Sequence, residues 1–154
     1  MKMAMPAVVT CALAAVNTSM WASDDRRDQD RGCSHETLHG DYGFSNEGLL
    51  FFPDSSQVAV RGVVMEHFDG YGHLTTADHT VVGGVPPTDE WREGSGTYTV
   101  NPDCTGTQTI ILPTSGPGPT PPPLVLYFVV VRQGREIRAV ANGNAITSIG
   151  KKVR

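Results

Sequence analysis

The stretch RGVVMEHFDGYGH, residues 61–73, decides how the chain is read. Gly62 to Phe68 suits an extended strand, and Asp69-Gly70-Tyr71-Gly72 is a tight turn in which glycine tolerates positive φ. His73 then starts a returning strand, so the segment is a β-hairpin. Pairing Phe68 with His73 sets Glu66 opposite Thr75, Val64 opposite Ala77 and Gly62 opposite His79. That register puts Glu66 and His79 on the Val64/Phe68 face, and Arg61, His67 and Asp78 on the other. Neither face is cleanly apolar, so a polar group points inward. A one-residue slip exchanges the two sets.

Working outward, the chain reads as strands with little helix. Leu38 to Phe44 alternates, with Leu38, Gly40, Tyr42 and Phe44 on one face. Leu49 to Phe52 is a short apolar run stopped by Pro53. Gln57 to Phe68 and His73 to Val82 form the hairpin, and Gly83 to Trp91 (GGVPPTDEW) is a loop. Gly94 to Val100 alternates again, with Gly96, Tyr98 and Val100 opposed to Ser95, Thr97 and Thr99. Asn101-Pro102-Asp103 turns the chain into Cys104 to Leu112. Leu124 to Val131 is apolar at both parities, which implies burial on both faces or cover by a loop. Strands Arg135 to Ala141 and Ala145 to Val153 follow, bounded by Gln133-Gly134 and Asn142-Gly143-Asn144.

About eight strands with turns roughly every ten residues predict an all-β, antiparallel domain over residues 33–154. An up-and-down closed barrel fits best, because closure removes exposed sheet edges. A Greek-key sandwich is the alternative. A barrel of this size is either filled by side chains or holds one small ligand. Residues 113–123 (PTSGPGPTPPP) carry six of the eleven prolines. Proline donates no backbone hydrogen bond, so this connection lies outside the ladder as an extended rim segment, either a solvated loop or a lid or docking strip.

The first segment is not part of that domain. Lys2 and the apolar run Ala7 to Val16, ending at Ala22-Ser23, read as a secretory signal over residues 1–22. The run is too short to span a membrane. Residues 23–32, beginning SDDRRDQDR, are a disordered polar leader. Removal of the signal takes Cys11 with it, and losing the one lysine moves the formal charge from −4 to −5. An acidic chain without a basic run is a poor nucleic-acid binder. The cysteines that remain, Cys33 and Cys104, read as one disulfide in an exported protein, against the alternative of two free buried thiols. These features place the protein in a periplasm or outside the cell. No state of oligomerisation is read from them.

Little catalytic chemistry is written in motifs. There is no nucleophile elbow, phosphate loop, zinc-binding pair or dinucleotide fingerprint, and no cofactor is expected. His73 and His79 lie about 20 Å apart along one strand and His67 faces away, so no metal site is expected. The residue with chemical promise is Glu66. A carboxyl inside an apolar barrel has a raised pKa and serves as a general acid or base, with Tyr98 as hydrogen-bond donor. The alternative is an arginine partner at a barrel mouth.

Three motifs carry a resemblance. They are Cys33 with Leu38-His39-Gly40-Asp41-Tyr42-Gly43-Phe44, Gly62 with Phe68-Asp69-Gly70-Tyr71-Gly72, and Gly96-Thr97-Tyr98-Thr99-Val100-Asn101-Pro102-Asp103-Cys104-Thr105-Gly106. As a set they resemble a group of small exported bacterial proteins. The resemblance implies a barrel similar to allene oxide cyclases and, more distantly, lipocalins, and it supports pairing Cys33 with Cys104. It carries no settled activity, and no catalytic residue is transferred from it. Here the strand Gly62 to Phe68 runs about two residues longer than the pattern, which bears on its register.

Two functions of different class follow. One is a barrel that binds a small apolar molecule against Tyr42, Phe44, Val64, Phe68, Tyr98 and Phe128. The other is a cofactor-free cyclase or isomerase in the same cavity, using Glu66 and Tyr98. A barrel with a filled core would instead be a structural or protein-docking module.

Overall fold

The computed structural model describes residues 32–113 and 121–153. The expected signal segment 1–22, all of the polar leader but Gly32, and the middle of the proline-rich connection lie outside the described residues. Among the described residues a 3₁₀ turn, His35–Thr37, precedes eight strands in order: β1 (His39–Phe51), β2 (Gln57–Asp69), β3 (His73–Val82), β4 (Arg92–Val100), β5 (Thr105–Ile111), β6 (Leu124–Val131), β7 (Glu136–Ala141) and β8 (Ala145–Lys152). Each pairs antiparallel with the next, and β8 pairs with β1. The domain is therefore a closed up-and-down barrel, not a sandwich, and every strand edge is paired.

Two expected strands, Leu38 to Phe44 and Leu49 to Phe52, are one. β1 runs unbroken against β2 from His39↔Asp69 to Phe51↔Gln57. Gly48 makes this continuity possible. Its φ is +152°, and a Cβ there would lie 1.9 Å from the Ala145 carbonyl oxygen. Only glycine lets β1 pass β8 so closely.

The β2–β3 register differs from expectation by one residue. Phe68 pairs with Leu74, Glu66 with Thr76, Val64 with Asp78 and Val63 with His79. The turn has three residues rather than four, because Asp69 stays in the ladder. Its Oδ1 accepts the backbone N–H of Tyr71 at 2.7 Å and of His73 at 3.0 Å. The slip moves Asp78 inward and His79 outward. β6 is also corrected: Leu126, Phe128 and Val130 are buried, while Tyr127 and Val129 remain 53 % and 43 % exposed.

One end of the barrel is packed shut. Strand starts and turns bring Leu38, Tyr42, Phe68, Leu74, Tyr98 and Ile137 together there, all buried. Tyr42 meets Phe68 edge-to-face with ring centroids 5.3 Å apart, and Phe68 meets Tyr98 the same way at 5.0 Å. Each such pair adds about 1 kcal/mol beyond burial. The Cys33–Cys104 disulfide ties the entering chain to the β4–β5 turn at this end, with Cα atoms 4.9 Å apart. Two further aromatics lie flat over glycines. A Cβ on Gly150 would stand 2.3 Å from the Phe44 ring, and one on Gly106 2.3 Å from the Phe128 ring. Among the described residues no helix is long and apolar enough to cross a membrane.

Candidate functional site

The other half of the barrel is not filled. A cavity of about 110 Å³ lies inside it, and all eight strands contribute to its wall. Ile110 on β5 and Leu124 and Leu126 on β6 give it an apolar side, continued by Ala141 and Ile146. The β2–β3–β4 side is polar, with Glu66, Thr76, Asp78, Thr80 and Arg92. This side follows from the pleat. Thr76, Asp78 and Thr80 alternate along β3, so all three point inward once Thr76 faces Glu66.

Glu66 is 3 % exposed. It sits one layer above the Phe68–Leu74 floor, and its protein hydrogen-bond donor is an amide: Gln108 Nε2 reaches both carboxyl oxygens at 3.3 Å. Burial pushes its pKa from 4.5 up to about 8, and the Gln108 bond lowers it only in part. Burial therefore favours the neutral acid form of Glu66 near pH 7. Gln108 is 2 % exposed. Its Oε1 and the Thr76 Oγ1 are buried without a protein partner.

Farther along the polar wall, Asp78 is held in a complete network. Arg92 donates from Nε to Oδ1 at 2.9 Å and from a terminal nitrogen to Oδ2 at 2.8 Å. Thr80 Oγ1 donates to Oδ2 at 2.6 Å. The forked pair leaves no net charge beside Glu66. Across the barrel, the Ser148 hydroxyl donates to the Asn46 side-chain oxygen.

The expected ligand-lining residues are separated by this arrangement. Val64 lines the cavity. Tyr42, Phe68 and Tyr98 belong to the closed end, and Phe44 and Phe128 pack over their glycines. Tyr98 does not act as a donor toward Glu66: its hydroxyl is given to the Leu38 carbonyl at 3.0 Å and the His35 carbonyl at 3.2 Å. Tyr42 donates likewise to the Gly134 carbonyl, and burial pushes its pKa up to about 12. Both phenols cap backbone groups where the barrel is shut.

The residues missed in the sequence are Thr76, Thr80, Arg92 and Gln108, while Asp78 was singled out but assigned to the face away from Val64 and Phe68. Gln108 had a signal. In Thr105–Ile111 the threonines at 105, 107 and 109 mark the outer face, which leaves Gln108 between Gly106 and Ile110 on the inner one. The histidines are dispersed: His67 pairs with Asp41 at 2.7 Å on the surface, and His79 donates to the Glu90 carbonyl at 2.7 Å. Comparison with family models, with curated proteins and with solved structures finds no match to this chain.

Proposed function

We propose that the protein is an exported barrel that takes a small molecule into the Glu66 cavity. The ligand has an apolar body, set against Val64, Ile110, Leu124 and Leu126, and a polar group directed at Glu66. The observation that carries this reading is a buried carboxyl on the wall of a partly apolar cavity inside the barrel. Such a combination of concavity, apolar lining and one perturbed titratable group is the usual form of a small-molecule site. At about 110 Å³ the void suits a molecule, or the end of one, near the size of benzene. The Cys33–Cys104 bridge supports an oxidising compartment, periplasmic or extracellular. The chain's acidic balance argues against nucleic acid as the partner.

One observation favours a second reading at the same place. A carboxyl with a pKa of about 8 lies close to the range in which a general acid–base group works best at neutral pH. This suits a cofactor-free isomerase or cyclase acting in the same cavity. Glu66 would move the proton, and the neutral Asp78–Arg92 pair would hold the wall.

Native mass spectrometry of the protein purified from its own host tests the binding reading. The expected result is an added small mass that is released on unfolding. A bare polypeptide, together with no thermal shift at saturating benzene, would refute it. The catalytic reading predicts that Glu66 exchanges an acidic C–H proton of the released ligand with D₂O. Exchange that survives in Glu66→Gln removes that role.

A further inference from the structure

The polar groups around Glu66 are unevenly used, and the imbalance describes a ligand. Thr76 lies directly opposite Glu66 in the β2–β3 ladder, with both side chains inward. Side chains so placed are nearest neighbours across the strands. Gln108 approaches the same carboxyl from β5 through its amide nitrogen. Two atoms of this cluster, Thr76 Oγ1 and Gln108 Oε1, are buried and have no protein partner. Turning the Gln108 amide over does not help, because one of its polar ends then still points away from Glu66 unpaired.

Buried polar atoms are nearly always hydrogen-bonded, and those that are not require a reason. Here the reason is adjacent: Thr76 and Glu66 line the cavity. Glu66 as a neutral acid has an O–H to donate. Beside it Thr76 can donate or accept, while Gln108 holds the Glu66 carboxyl from outside the cavity lining. The polar edge thus offers donors and acceptors side by side, while the opposite wall, Ile110 and Leu126, offers none. An ion is poorly served by such a site, since burying its charge without a counter-charge is expensive. A hydrocarbon leaves the orphan atoms unpaired.

We propose that the Glu66–Thr76 edge, with Gln108 bracing the Glu66 carboxyl from behind, recognises a small neutral ring bearing a hydrogen-bond acceptor and a donor on adjacent atoms, a lactam-type edge. Its hydrocarbon side rests on Ile110 and Leu126. The inference deepens the binding reading above and rests on it.

Three flat six-membered-ring probes separate the outcomes: 2-pyridone, which has adjacent C=O and N–H; N-methyl-2-pyridone, which replaces the donor with a methyl group; and benzene, which lacks both. Binding is measured by calorimetry at pH 6. The expected result is that 2-pyridone binds about tenfold or more tightly than either of the others, as one recovered buried hydrogen bond provides. Thr76→Val abolishes that preference, whereas Thr76→Ser keeps it. Equal binding of 2-pyridone and benzene overturns the inference alone, with water serving the orphan atoms. Failure of all three to bind counts against the inference and against the binding reading together.

Discussion

Replacing Glu66 by glutamine removes one titratable proton from the barrel interior and keeps the side chain's shape. It also keeps an oxygen to accept from Gln108 Nε2. In the folded protein the Glu66 pKa stands at about 8, and unfolding returns it to about 4.5. Between those values the folded state holds a proton that the unfolded state has released, so stability falls as pH rises. The contribution is fully present below pH 4.5, declines by about 1.4 kcal/mol per pH unit, and is lost once pH passes about 8. The interval from 4.5 to about 8, at that slope, comes to about 5 kcal/mol, comparable to the whole stability of many small domains.

The neighbours do not obscure the effect. Asp78 and Arg92, which face the same interior from β3 and β4, are bound to each other. Glu136 is held low by the hydrogen bond from Arg138 and Asp103 by the Thr105 hydroxyl, so their contributions are lost only on acidification below the ordinary carboxyl range. Histidine titration is common to both proteins and cancels in their difference. Urea unfolding of wild type and Glu66→Gln, with the disulfide intact, is measured from pH 5 to pH 9. The stability difference should move against wild type by about 4 kcal/mol across that range and flatten above pH 8. Parallel curves would mean that Glu66 is ionised or hydrated in the fold, and the argument for a neutral buried acid would collapse.

Four other substitutions probe the frame around the site. Loss of the Cys33–Cys104 bridge, by reduction or as Cys104→Ser, should lower stability by about 4 kcal/mol on the chain-entropy account; an unchanged urea midpoint would contradict this. Gly150→Ala places a Cβ within 2.7 Å of three Phe44 ring atoms and should cost roughly 1–3 kcal/mol or more. Gly143→Ala, with φ of +79° but nothing within 4 Å, should cost only about 1 kcal/mol, and a reversed order in thermal melts would refute the packing described. Tyr98→Phe should destabilise by about 1–2 kcal/mol through the two carbonyls it leaves and should not alter ligand binding. Lost binding at unchanged stability would return Tyr98 to the site.

How much of this was legible depended on which physical rule governed each residue. The barrel was legible because side-chain alternation and turn residues are local properties, and both recur from Leu38 to Val153. Three details were not. The β2–β3 register hung on Asp69, which belongs by type in a turn but keeps its place in the ladder by accepting two turn N–H groups. That one residue decides whether Asp78 or His79 faces the cavity. The aromatics looked like a ligand lining because inward apolar residues at either end of a barrel read alike in sequence. The 3₁₀ turn His35–Thr37, which supplies the carbonyl that Tyr98 caps, decides which end is closed. The orphan atoms on Thr76 and Gln108 depend on three strands meeting, which no local pattern encodes.

The two halves of the interior differ in a way that stability alone does not require. At the closed end each polar group is matched: Tyr42 and Tyr98 cap carbonyls, and the aromatic rings interlock. Asp78 shows that the same fold can also satisfy a buried charge fully, through Arg92 and Thr80. One layer away, Glu66 is left with a long amide contact, and two buried atoms beside it have no partner. A leucine at position 66 would remove that penalty and fill part of the void. A chain that satisfies its buried polar groups on both sides of this layer, and leaves only this layer incomplete beside a cavity, has the pattern expected where a site rather than the fold sets the residue. The incompleteness of the layer therefore argues for an occupant more strongly than the void does, since a void alone could be a packing fault, whereas an acid and a hydroxyl on its wall are specific.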